Sequence, residues 1–237
     1  MTPSLQDAKI TFLGGGNMAA AIIGGLLAKN ISKSNIYVSE PWDVNRNKMA
    51  DLGVKTTADN KEAAADADVL ILAVKPQAPH IVRVMPNTPA LVGEGASGLY
   101  AADDVTKEER ELTSALLGSV SKATEWVDKE ELLDVVTGIS GSGPAYFFAF
   151  VEHLISSGIG LGLSEEQATR LATQTCLGAG KMLVESSDEP SQLRKNVTSP
   201  NGTTHAALVS FENSGLKEIV DKAVKAAADR AKELGKN

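Results

Sequence analysis

Along the first half of the chain, short apolar runs alternate with longer stretches in which apolar positions recur every three or four residues. KITFL (residues 9–13), NIYVSE, VKTT and DVLILAV read as strands. NMAAAIIGGLLAKN, DVNRNKMADLG and NKEAAADA read as the helices between them, the second stopped by Gly53. Strands and helices alternating at this spacing predict a parallel sheet with right-handed crossovers. Residues 69–74 are almost wholly apolar, as a central strand covered on both faces would be. One junction breaks the pattern. Only KPQAPH separates this strand from the strand-like IVRVM at 81–85, whereas neighbouring parallel strands need a crossover of about a dozen residues or more. Either the second run is not parallel to the first, or a crossover unit is absent.

From Thr106 the alternation fades. TKEERELTSALLGSVSKA predicts a helix opened by a capping box of Thr106 and Glu109, and TEWVD one last strand. After GISGSGPAY the periodicity is helical nearly to the end. AYFFAFVEHLISSGIGLG is apolar on most sides, which predicts burial on most sides. SEEQATRLATQTCLGAGKMLVESS opens on a second capping box, Ser164 to Gln167. It sets Ala168, Leu171, Ala172, Thr175, Ala179, Met182 and Leu183 along one side. A chain of this length has too few layers to bury so much helix alone, so a partner subunit is expected.

The 237 residues are 43% hydrophobic and 22% charged, with a formal net charge of -7 and no cluster of Lys or Arg. That composition fits a packed soluble protein and gives no electrostatic support to a nucleic-acid or anionic-membrane partner. A small-molecule partner is expected instead. Cys176 is the single cysteine and falls within a helical pattern, reading as a buried reduced thiol. No basic region followed by an apolar run opens the chain and nowhere do 18 apolar residues occur together, so a cytoplasmic protein is expected. His80, His153 and His205 lack metal-ligand spacing, and no metal site is expected.

Chemistry enters at two glycine-containing turns. Gly14-x-Gly16-x-x-Ala19 lies between a predicted strand and a helix starting near Asn17. The first glycine permits the turn, the second the approach of a pyrophosphate, and the small third residue close packing of helix on strand. Helix-start N–H groups would bind the phosphates. Glu40 ends the second strand, 21 positions past Ala19, where a carboxylate accepts hydrogen bonds from ribose hydroxyls and favours NADH. Arg46 stands close enough in sequence to bind a ribose phosphate instead, so NADPH or NADH stays open. In the second turn, Ser199, Gly202, Thr203 and Thr204 precede the helix HAALVSFENSG. They read either as a helix cap or as a grip for a carboxylate built from N–H groups and hydroxyls.

FLGGGNMAAA, LAVKPQ, RVMPNTPALVGEG, VTGISGSGPAY, LGAGKML and LRKNVTSPNGTT, in that order, resemble the pyrroline-5-carboxylate reductases of proline biosynthesis. The resemblance implies an α/β fold: a shortened N-terminal Rossmann-like parallel-sheet domain over 1–124 and a C-terminal all-α domain over 125–237 for dimerisation and substrate binding. It implies hydride transfer from NADPH or NADH to a cyclic imine carboxylate, 1-pyrroline-5-carboxylate, giving proline. The assembly it implies is a homodimer or several such dimers. Thr204 matches the threonine that hydrogen-bonds the ring nitrogen, and Ser199, Gly202 and Thr203 complete the carboxylate grip. The cofactor set comprises Gly14, Gly16, Asn17, Met18, Ala19, Glu40, Asn60, Ala73, Lys75, Pro76, Asn87 and Thr88, with Pro89 beside the nicotinamide. Lys75 also reads as a solvated strand-end charge, and His205 as a neighbour of the substrate. GSGPAY, with Pro144 at a helix start, reads as a domain junction.

Two departures from the family pattern stand out. Asn201 replaces a glycine of Ser-Pro-Gly-Gly-Thr-Thr, and Asn tolerates left-handed backbone. Between VKPQ and RVMPNTP the family carries a helix, a strand and an Ala-Ala-Gly segment that this sequence lacks. A shortened relative that dimerises or binds nucleotide without turnover is the rival reading.

Overall fold

The computed structural model describes residues 4–72 and 80–235. The chain divides into two compact units, Met1–Gly141 and Ser142–Asn237. This division falls inside GSGPAY, beyond residue 124 where the sequence placed it. The difference has a simple cause: a strand, Ser121–Trp126, straddles residue 124 and pairs back into the first unit.

In the first unit four parallel strands stand in the order β3-β2-β1-β4: β1 (Ile10–Leu13), β2 (Ile36–Ser39), β3 (Lys55–Thr57) and β4 (Val69–Leu72). Ile10 pairs with Ile36 on one side and Val69 on the other. Helices α1 (Asn17–Ala28), α2 (Asp43–Asp51) and α3 (Asn60–Ala64) connect them. Gly53, at φ +83, ends the turn after α2 as the sequence indicated.

A second sheet follows, in the order β5-β6-β7: β5 (Val82–Met85), β6 (Gly95–Ala101) and β7 (Ser121–Trp126). β5 runs antiparallel to β6, and β6 parallel to β7. Among the described residues β4 and β5 share no ladder. The six-residue junction is thus resolved without an impossible crossover, because the two runs lie in different sheets.

β6 escaped the hydrophobic pattern because GASGLYA is rich in glycine and small residues, which are ordinarily poor strand formers. Packing explains them. A Cβ on Gly98 would lie 2.6 Å from Val136, and one on Gly95 2.8 Å from the Val120 carbonyl oxygen. Ser121, Lys122 and Ala123 belong to β7 rather than to the helix expected through them. That helix, α4 (Lys107–Leu117), carries the anticipated capping box of Thr106 and Glu109. It is fixed on β7 where Trp126 Nε1 donates to Ser114 Oγ at 3.1 Å and Arg110 lies 5.0 Å over the indole. One core, including Ile10, Phe12, Ile23, Leu26, Ile36 and Leu99, draws on residues of both sheets.

The unit closes with α5 (Leu132–Val136) and a π-helical turn, Thr137–Gly141. The second unit is wholly helical: α6 (Gly143–Gly160), α7 (Glu165–Glu185), α8 (Pro190–Asn196), α9 (Thr203–Asn213) and α10 (Leu216–Leu234). The Ser164–Gln167 capping box forms at the start of α7. Burial differs from expectation. Along α6 only Gly143 is buried, and Phe147 and Phe148 are 63% and 68% exposed. Of the α7 stripe only Ala168 and Ala172 are buried, against α6, and Cys176 is half-buried. No described residue covers these faces.

Candidate active site

At the carboxyl end of the parallel sheet, Gly14 adopts φ +110, a conformation that favours glycine, and its N–H donates to the Ser39 carbonyl at 2.8 Å. The chain then enters α1 through Gly16, its N-cap, with no side chain capping the helix. A Cβ on Gly16 would meet no heavy atom within 4 Å. Among the described residues the helix mouth therefore faces open space, with no side chain answering its first N–H groups. That is the geometry by which helix starts bind phosphates.

Glu40 stands beside this turn. Its Oε2 accepts from the Gly15 N–H at 2.7 Å and its Oε1 from the Trp42 N–H at 2.9 Å. Arg46 Nη1 donates instead to the carbonyl oxygens of Glu40 and Pro41, at 2.8 and 3.0 Å. Asn60, at the first position of α3, accepts at Oδ1 from the buried Ser39 hydroxyl at 2.7 Å. α3 is held in place from below. Tyr37 donates to Glu62 Oε1 at 2.6 Å and Thr57 to Oε2 at 2.7 Å. The Tyr37 bond, followed by that from Thr57, holds the Glu62 carboxyl below its usual range, and the same Glu62 contact raises the Tyr37 phenol.

The MPNTP turn lies against α1 through the short 3-10 helix Thr88–Val92, whose Ala90 enters the core. Thr88 is exposed and Pro89 half-buried. Asn87 is 8% exposed, and both ends of its amide serve the fold. Nδ2 donates to the Ser140 carbonyl at 3.1 Å, while Oδ1 accepts from the Ala96 N–H at 2.9 Å.

In the second unit, Asn201 adopts φ +59, the left-handed conformation its replacement of glycine requires. Gly202 is the N-cap of α9, and no side chain caps this helix either. Ser199, 199 to 202 being closed by a Gly202 N–H to Ser199 carbonyl bond of 3.1 Å, does not cap it. The hydroxyls of Thr203 and Thr204 have no partner among the described residues. Of the two readings of this turn, the side-chain cap is not what forms.

A family model described as pyrroline-5-carboxylate reductase dimerisation matches residues 130–234, and one described as NADP oxidoreductase, coenzyme F420-dependent, matches residues 9–88. The chain is 41% identical, over 268 residues, to the pyrroline-5-carboxylate reductase of Pseudomonas aeruginosa, covering 97% of this chain and 98% of that one. It is 38% identical over 274 residues to the enzyme of Pasteurella multocida, with coverage of 98% and 99%. Among solved structures, the pyrroline-5-carboxylate reductase of Coxiella burnetii superposes with a TM-score of 0.89 at 37% identity, covering 96% of this chain and 98% of that chain. The Plasmodium falciparum pyrroline carboxylate reductase, with NADP bound, gives 0.83 at 30%, covering 97% and 99%.

The chain belongs to the pyrroline-5-carboxylate reductase family.

Within this reductase-family chain, Gly14, Gly16, Asn17, Met18, Ala19, Glu40 and Asn60 lie at the carboxyl edge of the parallel sheet and the start of the helices leaving it. Asn87 and Thr88 lie on the turn packed against α1. Ala73, Lys75 and Pro76 fall outside the described residues. Ser199, Gly202, Thr203 and Thr204 surround the mouth of α9, in the other unit. Sequence reasoning passed over Gly15, the middle glycine of GGG. A Cβ there would lie 3.1 Å from Met49 Cγ and 3.2 Å from Glu40, so it is the residue that lets Glu40 reach the turn. It also passed over Ser39, which orients Asn60; a hydroxyl closing an apolar strand was the available signal. Among the described residues no group of three or more His, Cys, Asp or Glu could hold a metal, and no helix is long and apolar enough to cross a membrane.

Proposed function

We propose that this chain reduces 1-pyrroline-5-carboxylate to proline with NADH or NADPH, as the names of its relatives describe for them. Near-full-length identity to those reductases carries the reading, with 97% of this chain and 98% of the Pseudomonas protein aligned. A bound reduced nicotinamide supplies the hydride. The open, uncapped mouth of α1 fits its pyrophosphate: Gly14 and Gly16 shape the turn, Asn17 to Ala19 present the first helical turn, and Glu40 and Asn60 flank it.

The uncapped mouth of α9 suits the substrate carboxylate. Ser199 and Thr203 bind it through hydroxyls and N–H groups, Gly202 shapes the turn with its own N–H bonded to the Ser199 carbonyl, and the positive end of the helix dipole adds to the attraction. Thr204 turns its free hydroxyl to the ring nitrogen and orients the imine. A cyclic imine that arrives protonated accepts hydride without a His-Asp relay, so the chain's contribution is alignment and exclusion of water. No group here needs to relay a proton through a buried network.

The same proposal includes a homodimer, or several such dimers, in which the exposed apolar faces of α6 and α7 meet a partner, and a cytoplasmic location. The dimerisation description of the model matching residues 130–234 supports the pairing. It also includes an absent internal segment beside residues 73–79. The Pseudomonas alignment extends over 268 residues although this chain has 237.

Proline formation by the purified chain, followed with NADH and with NADPH, tests the function. Turnover with either cofactor is expected. Dinucleotide binding with no proline formed would overturn it.

A further inference from the structure

Family membership leaves the cofactor unchosen, and two side chains of opposite charge stand where the choice is made. Glu40 directly follows β2 beside the glycine turn, and both of its oxygens are fixed, by the Gly15 N–H at 2.7 Å and the Trp42 N–H at 2.9 Å. A carboxylate offers about four lone-pair sites, so two acceptor positions remain after these bonds. They are held rigidly at the foot of the helix mouth. Gly15 permits this closeness, because any side chain there would press on Glu40 and Met49 at 3.1 to 3.2 Å.

Arg46 does not neutralise this charge. Its Nη1 donates to the neutral carbonyl oxygens of Glu40 and Pro41, and no ion pair among the described residues includes Glu40. The guanidinium braces the backbone that follows β2, and no described residue compensates the carboxylate beside the turn. A ribose bearing two hydroxyls supplies the donors those free positions lack. A 2′-phosphate brings about -1.5 to -2 charges and acceptors only.

We propose that Glu40 selects NADH over NADPH in this chain, accepting hydrogen bonds from the adenosine ribose hydroxyls and repelling a 2′-phosphate. The inference rests on the dinucleotide reading of the Gly14–Ala19 turn. Arg46 acts as a positioning residue that holds the Glu40 backbone, rather than as a phosphate receptor.

Equilibrium binding of NADH and of NADPH to the purified full chain, read from nicotinamide fluorescence, tests it without requiring turnover. NADH should bind at least about tenfold more tightly, a difference of about 1.4 kcal/mol. Glu40→Gln should bring the ratio close to one while Glu40→Asp retains the preference, with thermal melting confirming that both fold. Arg46→Met should weaken both dinucleotides alike. If Glu40→Gln does not fold, the wild-type ratio and the Arg46→Met result still decide. Tighter binding of NADPH, a ratio unmoved in folded Glu40→Gln, or a loss of NADPH alone in Arg46→Met would each overturn the inference while leaving the dinucleotide site intact. Binding of neither dinucleotide would overturn the site reading and this inference together.

Discussion

The side chain of Asn87 joins two stretches 53 residues apart in sequence by donating to the carbonyl oxygen of Ser140 at 3.1 Å. Its other end accepts from the Ala96 N–H, so one buried amide links the MPNTP turn, the start of β6 and the π-helical turn before the second unit. Asn87→Leu keeps similar bulk but leaves both backbone groups unanswered. Each orphaned group should cost about 1 to 3 kcal/mol, lowering the denaturation midpoint without changing the slope. Asn87→Asp keeps the acceptor for Ala96 and sets a carboxylate oxygen against the Ser140 carbonyl. It should be weaker than wild type at neutral pH and recover as acid protonates the new carboxyl. Unchanged urea midpoints in both variants would remove the bridge from the account of the fold.

Gly16, the N-cap of α1, and Gly25, inside that helix, should respond differently to a methyl group. A Cβ on Gly16 meets nothing within 4 Å and its φ is -76, so Gly16→Ala should leave stability within about 0.5 kcal/mol of wild type. Dinucleotide affinity should nevertheless fall at least about tenfold, because the added methyl occupies the space of the pyrophosphate. A Cβ on Gly25 would collide with Val120 Cγ1 and lie 2.7 Å from the Ser119 carbonyl oxygen. Gly25→Ala should therefore cost about 1 to 3 kcal/mol through overpacking. Melting curves alongside cofactor titrations separate the two cases.

Thr204 has a hydroxyl with no partner among the described residues. Thr204→Val should melt with the wild type and turn over at least about tenfold more slowly, since hydrogen-bonding orientation of a reacting group is worth more than one such factor. A variant as fast as wild type would remove Thr204 from its proposed role.

Phe147, Phe148, Leu171 and Leu177 are all more than half exposed, a cluster that a monomer of 24.8 kDa would present to water. Phe148→Asp should convert the proposed dimer to a particle of the chain's own mass in light scattering after size exclusion. A wild-type protein already monomeric at micromolar concentration would sink the proposed pairing.

The Glu109 carboxyl is held below its ordinary range, first by the Thr106 N–H and then by His80, whose Nδ1 lies 3.1 Å away. A carboxyl whose folded value is depressed stabilises the protein above its unfolded value, near pH 4.3, and loses that contribution as pH falls through the folded value. The stabilisation that Glu109 gives the start of α4 should therefore be lost below about pH 4.3. Glu109→Gln should flatten the stability profile in that window, measured by chemical denaturation from pH 3 to 6.

The alternation of apolar runs and helical stripes by itself determined the four strands of the parallel sheet, both capping boxes and the glycine turn. Each depends on residues within one or two turns of each other, where local sterics and period suffice. The same holds for the left-handed Asn201 and for the junction in GSGPAY. What only the tertiary structure decided depends on distant partners. β6 exists because Gly95 and Gly98 admit Val120 and Val136, and their poor strand propensity conceals it. Ser121 to Ala123 join β7 because β6 offers them a ladder, although their local pattern continues α4. The amide of Asn87 turns inward because Ser140 and Ala96 meet there. Glu40 takes its definite position from the Gly15 N–H that donates to it, and α6 is exposed because no described residue covers its outer face.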